Sequence, residues 1–195
     1  MWLFAGLGNP GPEYFFTRHN LGWRAVALLA EELKLTFREN PSLEALIAEG
    51  KEAVLLLPLT YMNLSGKAVA GATEHYRIPP ERVLLVHDDL DLPLGRMKIV
   101  PRGGSGGHRG VASVLAMLGT EEIPRLKLGI GRPPSGISVP DYVLSPFRPE
   151  EEPVVEKVLE LSVAAMRTIL REGLPKAMSL YNRRDLLQNE REGAR

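Results

Sequence analysis

The hydrophobic and polar positions of the chain switch repeatedly between a period of two and a period near 3.6. Trp2–Leu7 is a short apolar run closed by glycine and proline, which predicts a first strand. From Asn20 to Leu33 the spacing turns helical, with Trp23, Val26, Ala30 and Leu33 on one face. Leu43–Ala48 and Ala53–Leu57 are β-like and meet at Gly50-Lys51-Glu52, a predicted hairpin. Ser65 is placed to cap a helix running to about Tyr76, and Arg82–Val86 reads as a buried strand that stops at His87-Asp88-Asp89. A glycine-rich turn, Gly103–Gly107, leads into a helix over Gly110–Leu118, and Leu126–Ile130 forms another strand. Val158, Leu161, Ala165 and Ile169 make a helical stripe ending at Gly173, after which Pro175 opens a short last helix.

Strands alternating with helices, plus one hairpin, predict a single α/β domain over residues 1–185. Its sheet is expected to be mixed and mostly parallel with helices on both faces. Residues 186–195 form a charged tail expected to fray. Ligands of such sheets bind beyond the carboxyl ends of the strands. Three polar clusters fall there: Gly6–Asn20, Thr60–Gly66, and His87–Asp91 with the later Gly103–Gly110.

Composition narrows the picture. At 195 residues and 44% hydrophobic, the chain supports one well-buried core. It has no cysteine, which removes disulfides and thiolate metal sites. No signal-peptide pattern opens the chain, and no run approaches the roughly 20 apolar residues of a membrane span, so a cytoplasmic protein without membrane contact is expected. Lys plus Arg and Asp plus Glu both number 24, which is not the balance of a protein that coats long nucleic acid. Between Leu92 and Pro140, however, Arg96, Lys98, Arg102, Arg109, Arg125, Lys127 and Arg132 face only Glu121 and Glu122, a local excess of +5. Such a patch on a neutral protein suits one docked polyanion.

Three short motifs point to chemistry that the rest of the chain does not support. Gly6-Leu7-Gly8-Asn9-Pro10-Gly11 matches a dinucleotide fingerprint, but Pro10 and Pro12 crowd the turn and helical spacing begins only near Asn20. Gly103-Gly104-Ser105-Gly106-Gly107 matches a nucleophile elbow, which requires an acid and then a histidine later in the chain. Only His108 follows Ser105, with no acid between them, so that triad cannot be built. His87-Asp88-Asp89-Leu90-Asp91 offers metal ligands, yet strand neighbours point to opposite faces, and no metal is expected.

What remains is His19 before a helix, Asp88 after an apolar strand, and the amides Asn9 and Asn63 in loops. With no competent serine or cysteine, this set suggests water as nucleophile. His19 is expected to act as base, Asp88 to hold its imidazole, and the amides to donate to developing oxyanion charge.

These residues fall within a longer resemblance. Gly6-Leu7-Gly8-Asn9-Pro10-Gly11, Tyr14, and Thr17-Arg18-His19-Asn20 with Gly22 resemble the opening signature of the bacterial-type peptidyl-tRNA hydrolase family. Thr60-Tyr61-Met62-Asn63-Leu64-Ser65-Gly66, His87-Asp88-Asp89-Leu90-Asp91-Leu92-Pro93 with Gly95, and Gly106-Gly107-His108 are similar to its later motifs, in the same order. Leu128-Gly129-Ile130-Gly131 with Arg132-Pro133, and Tyr142-Val143-Leu144, continue the series, so the resemblance spans residues 1–182.

The resemblance implies a cofactor-independent, monomeric enzyme acting on peptidyl-tRNA at its acceptor end and 3′ CCA, with no obligate protein partner. It implies His19 as base, Asp88 as its support, and Asn9 as a contact to the peptide that separates blocked from free aminoacyl-tRNA. It further implies Tyr14, Tyr61 and Asn63 as substrate contacts and Lys98 as a phosphate ligand, with Arg102, Arg125 and Lys127 extending that surface. Two positions depart from the family pattern: Arg109 stands where asparagine is usual, and Val100 where a second basic residue is common. Arg109 is donor-only and charged, and is expected to contact phosphate. Two other classes remain: a non-catalytic module that binds RNA 3′ ends, and a dehydrogenase that would bind a nicotinamide cofactor and ignore tRNA.

Overall fold

Strands buried on both faces read as continuous apolar runs, and the middle of this sheet is of that kind. The computed structural model describes residues 1–183, so the expected tail over 186–195 lies outside the described residues. Seven strands, β1 (Trp2–Gly6), β2 (Arg38–Asn40), β3 (Ala45–Glu49), β4 (Ala53–Pro58), β5 (Val83–Asp89), β6 (Met97–Val100) and β7 (Arg125–Gly129), form one mixed sheet. Their order is β2-β3-β4-β1-β5-β7-β6. The four central strands run parallel, and antiparallel strands extend both edges.

The period of two along β1 and β5 divides the core between the faces. Trp2, Phe4, Leu84 and Val86 pack against α1 (Leu21–Glu32) and the long α5 (Glu152–Glu172). Leu3, Ala5, Val83 and Leu85 pack against α2 (Ser65–Tyr76) and α3 (Arg109–Leu118). The short helices α4 (Val139–Val143) and α6 (Leu174–Tyr181) complete the α1 side. Among the described residues, no helix is long and apolar enough to cross a membrane.

Several local expectations are corrected. β5 does not stop at Val86 but continues through His87 and Asp88 to Asp89, held by parallel pairing to Lys127–Gly129 of β7. Ser65 does not cap α2; it is the first helical residue, and its hydroxyl donates to the Met62 carbonyl at 2.7 Å. Arg125 does not extend a basic surface, because β7 buries it at 1% exposure. The strands β2 and β6 and the helix α4 are too short for periodicity to find.

One contact sets how closely α1 lies on the sheet. Gly22 faces β5 so tightly that a Cβ there would fall on the Val86 carbonyl oxygen. Gly22→Ala is therefore expected to lower stability by about 1–3 kcal/mol, read as a lower urea midpoint. Gly71 in α2 is the contrast, since its Cβ would meet only the Leu43 side-chain tip at 3.2 Å. Gly71→Ala should be neutral or stabilising by up to about 1 kcal/mol. Equal midpoints for the two variants would show that the α1–β5 contact has slack.

Candidate active site

The extension of β5 puts two titratable side chains at the carboxyl end of a central strand, on opposite faces. By the two-residue period, Asp88 follows Val86 toward α1, and His87 follows Leu85 toward α3. His19, in a 3-10 turn (Arg18–Asn20) leading into α1, meets Asp88 from one side. His108, the N-cap of α3, meets it from the other. A cavity of about 730 Å³ opens above them.

The hydrogen bonds decide the tautomers. His19 Nδ1 lies 2.9 Å and 3.1 Å from the two carboxylate oxygens of Asp88. It donates to them, leaving Nε2 without a partner among the described residues. His108 Nδ1 accepts from the Val111 backbone N–H at 3.2 Å, so its proton sits on Nε2 and is donated to Asp88 Oδ1 at 3.0 Å. Burial alone would raise the Asp88 pKa, but His19 and His108 outweigh it and hold the carboxyl far below the usual range. Burial works to lower the His19 pKa, and Arg109 adds to that. The charge and hydrogen bond of Asp88 prevail, so the net shift is upward. His87, which donates to the Asp88 carbonyl at 2.8 Å, is lowered to about 3 by burial and then by the nearby His108, and stays neutral.

The amide side of the cavity is built by β1 and β4. Asn9 accepts from the Met62 N–H at 2.7 Å through Oδ1, and Asn20 clasps its backbone N–H and carbonyl. Its own NH2 is left for the cavity, with Tyr61 and Asn63 exposed beside it. Tyr14 does not line the cavity but stands edge-on against Tyr61, ring centres 6.5 Å apart.

The opposite side is built by β7 and β6. Lys98 and Lys127 sit directly across from each other on adjacent strands and both line the cavity. Like charges so placed disfavour each other unless an anion joins them, and among the described residues only Lys127 has an acid near it, Asp89 at 3.9 Å. Arg102 is not at the cavity; it lies exposed with Glu122 at 3.7 Å. Arg109 does line it, at the N-terminus of α3.

Sequence reasoning gave His108 and Arg18 no role in the site and gave Arg125 a different one, on a phosphate-binding surface. His108 was visible in Gly106-Gly107-His108 as a motif only. Arg125 donates to the carbonyls of Ile123, Gly103 and Gly104, and so anchors the glycine turn that carries Ser105 to His108 along the cavity wall. Arg18 grips both oxygens of Glu151 at 3.0 Å and 3.2 Å and lies over the Tyr142 and Phe147 rings. It thereby ties the His19 turn to the α4 segment, which supplies Val139, Pro140 and Val143 to the cavity.

His19, Asp88 and His108 bring three ligand atoms within 4.8 Å, close enough to raise the question of a metal. The donor set does not fit one. A metal on His108 Nε2 would need the proton on Nδ1, where it would face the Val111 N–H, donor against donor. The set suits proton transfer: an imidazole with one free nitrogen, a fixed carboxylate behind it, and an amide donor nearby.

The family model described as peptidyl-tRNA hydrolase matches residues 3–189. A peptidyl-tRNA hydrolase of Chloroflexus aggregans is 50% identical over 187 residues, covering 93% of this chain and 99% of that protein. One of Thermus thermophilus is 50% identical over 186 residues, with 95% and 98% covered. The crystal structure of the Acinetobacter baumannii peptidyl-tRNA hydrolase superposes with a TM-score of 0.88 at 33% identity, over 93% of this chain and 94% of that one.

The balance at His19 can be read by following its imidazole protons against pH. In the wild type His19 titrates above 6.5. In Asp88→Asn the opposing burial and Arg109 remain, so its titration should fall below 6.5. The linked stability follows the same sign: the charged pair stabilises fully below 6.5 and the benefit is lost as pH rises through the raised value. A variant still titrating at or above 6.5 would show that Asp88 does not set the base.

Proposed function

The chain belongs to the peptidyl-tRNA hydrolase family, and on that premise we propose how its own residues carry the reaction. It hydrolyses the ester between a peptide and the 3′-terminal ribose of tRNA, recycling the tRNA. The observation that carries the residue-level reading is the His19 Nδ1 bond to Asp88, 2.9 Å long, which leaves Nε2 free at the cavity.

Water held by His19 Nε2 gives up a proton as its oxygen adds to the ester carbonyl, and Asp88 stabilises the imidazolium that forms. The NH2 of Asn9, with Asn63 beside it, donates to the carbonyl oxygen as charge builds there. The carbon–oxygen bond to the ribose then breaks, and the proton on Nε2 passes to the departing 3′ oxygen. No step calls for a cofactor or metal.

The acyl group lies on the amide side of the cavity and the tRNA end on the lysine side. Lys98 and Lys127 take a phosphate between them, and Tyr61, braced by Tyr14, offers its face to an unstacked base or the peptide. Arg102, away from the cavity, reaches at most a more distant phosphate. A module that only binds RNA is not favoured, since binding has no use for a buried carboxylate orienting one imidazole. We take the protein to act as a monomer in the cytoplasm.

The test is acyl release from an N-acetylated aminoacyl-tRNA. His19→Ala should lower kcat by about 10²–10⁴-fold while tRNA affinity stays within a few-fold. A variant that still turned over would sink the assignment of the base, and a folded wild type that bound without release would favour the binding module. Lys98→Ala should flatten the salt dependence of binding by about 0.7 in log–log slope, the expectation for one single-strand phosphate contact.

A further inference from the structure

The charges lining the cavity do not cancel evenly. Each of its carboxylates has a partner: Asp88 has the two imidazoles, Asp89 has Lys127, and Asp91 has Arg132 at 2.5 Å. Among the described residues, Arg109 has no acid within ion-pair distance and makes no hydrogen bond through its side chain.

Its position is on the acyl side. The next residue, Gly110, is pressed so closely on Met62 and Leu7 that a Cβ would collide with Met62 Sδ and lie 3.2 Å from Leu7 Cδ1. Met62 belongs to the Met62–Leu64 turn that presents Asn63, and Leu7 follows β1. Arg109 therefore stands over the β1–β4 half of the sheet with Asn9 and Asn63, while Lys98 and Lys127 stand over the β7–β6 half. Its charge also reaches His19, whose protonation it opposes.

The geometry points to Arg109 as a specificity-determining residue that rejects a free α-ammonium group on the substrate by charge. This rests on the reading in which His19 attacks the ester carbonyl. The α-nitrogen of the acyl group is two bonds from that carbon. In a peptidyl ester it is an uncharged amide, whereas in an unblocked aminoacyl ester it is an ammonium at neutral pH. An ammonium there enters the half of the cavity that holds the Arg109 cation, and the nearest carboxylate, Asp88, is buried with its oxygens already taken by two imidazole donors. At separations of several ångströms near a protein surface, such repulsion amounts to about a tenfold or larger loss of affinity. It acts only on the charged form, so it should disappear as the amine deprotonates, around pH 7.7–8.0 by the reference value for an α-amino group. The groups facing that position are His19, His108, Arg109 and the imidazole-bound Asp88, with Asp89 and the lysines across the cavity.

The experiment compares kcat/KM for an aminoacyl-tRNA and its N-acetyl counterpart from pH 6 to 8.5, subtracting the enzyme-free rate, in wild type, Arg109→Gln and Arg109→Lys. In wild type the preference for the acetylated substrate should shrink as pH rises through the amine's titration. Arg109→Gln should cut the preference about tenfold at pH 6.5 and remove most of its pH dependence. Arg109→Lys should keep both. A preference untouched by Arg109→Gln would overturn the inference. So would an equal loss on both substrates with a shallower salt slope, which would make Arg109 a phosphate contact instead. Failure of the underlying mechanism is separable, because it would appear as acetyl-substrate turnover surviving in His19→Ala.

Discussion

The carboxyl end of the sheet is organised around one buried carboxylate. Moving an unpaired charge out of water costs several kcal/mol, so Asp88 can exist as an anion only if donors surround it. Two imidazoles do so, carried by helices on opposite faces of the sheet, and each is thereby fixed in one tautomer. That requirement propagates outward. The start of α1 must deliver His19, the start of α3 must deliver His108, and the Val111 amide must occupy the far nitrogen of His108. A base with one free lone pair is the residue of satisfying a buried charge. The same tautomer that satisfies Asp88 makes the cluster a poor metal ligand set, although its atoms converge.

The sheet also sorts the chemistry laterally. Strand order places the loops after β1 and β4 to one side of Asp88 and the strands β7 and β6 to the other. The amides gather on the first side, with Arg109 beside them, and the opposed lysines on the second. A substrate with an acyl chain at one end of an ester and a phosphodiester at the other matches that polarity. Parallel central strands make this possible, since they bring three successive loops to one edge.

Much of this was legible from residues alone, and the reasons are specific. Apolar runs such as Trp2–Leu7 and stripes such as Val158 to Ile169 are long enough for periodicity to declare strand or helix. His19, Asp88, Asn9 and Asn63 were identifiable because their residue types imply chemistry and their loops follow predicted strands. What escaped depends on tertiary partners. His87 and Asp88 read as a turn because they are polar, yet pairing to β7 draws them into the strand. β6 is only four residues long, too short a stretch for its alternation to stand out. Arg125 looked like surface charge, since nothing local says that backbone carbonyls of a glycine turn will enclose a guanidinium. His108 lacked a role until the fold placed Asp88 within its reach, and Tyr14 and Arg102 carry types suited to the site but stand behind or beside it.

The grip of Arg18 on Glu151 has a mechanical meaning. The residue preceding the base is fastened to the segment that follows α4, with two aromatic rings beneath the guanidinium and a bridge between Thr17 and Pro146 alongside. One wall of the cavity and the His19 imidazole are thus joined through a single set of contacts. Widening the mouth on that side would drag His19 off its carboxylate. The opposite wall, a glycine turn held at its foot by Arg125 and by the Gly103 N–H on the Glu121 carbonyl, runs into His108 and through it reaches the same carboxylate. Both walls of the mouth are thus moored to Asp88, one through each imidazole.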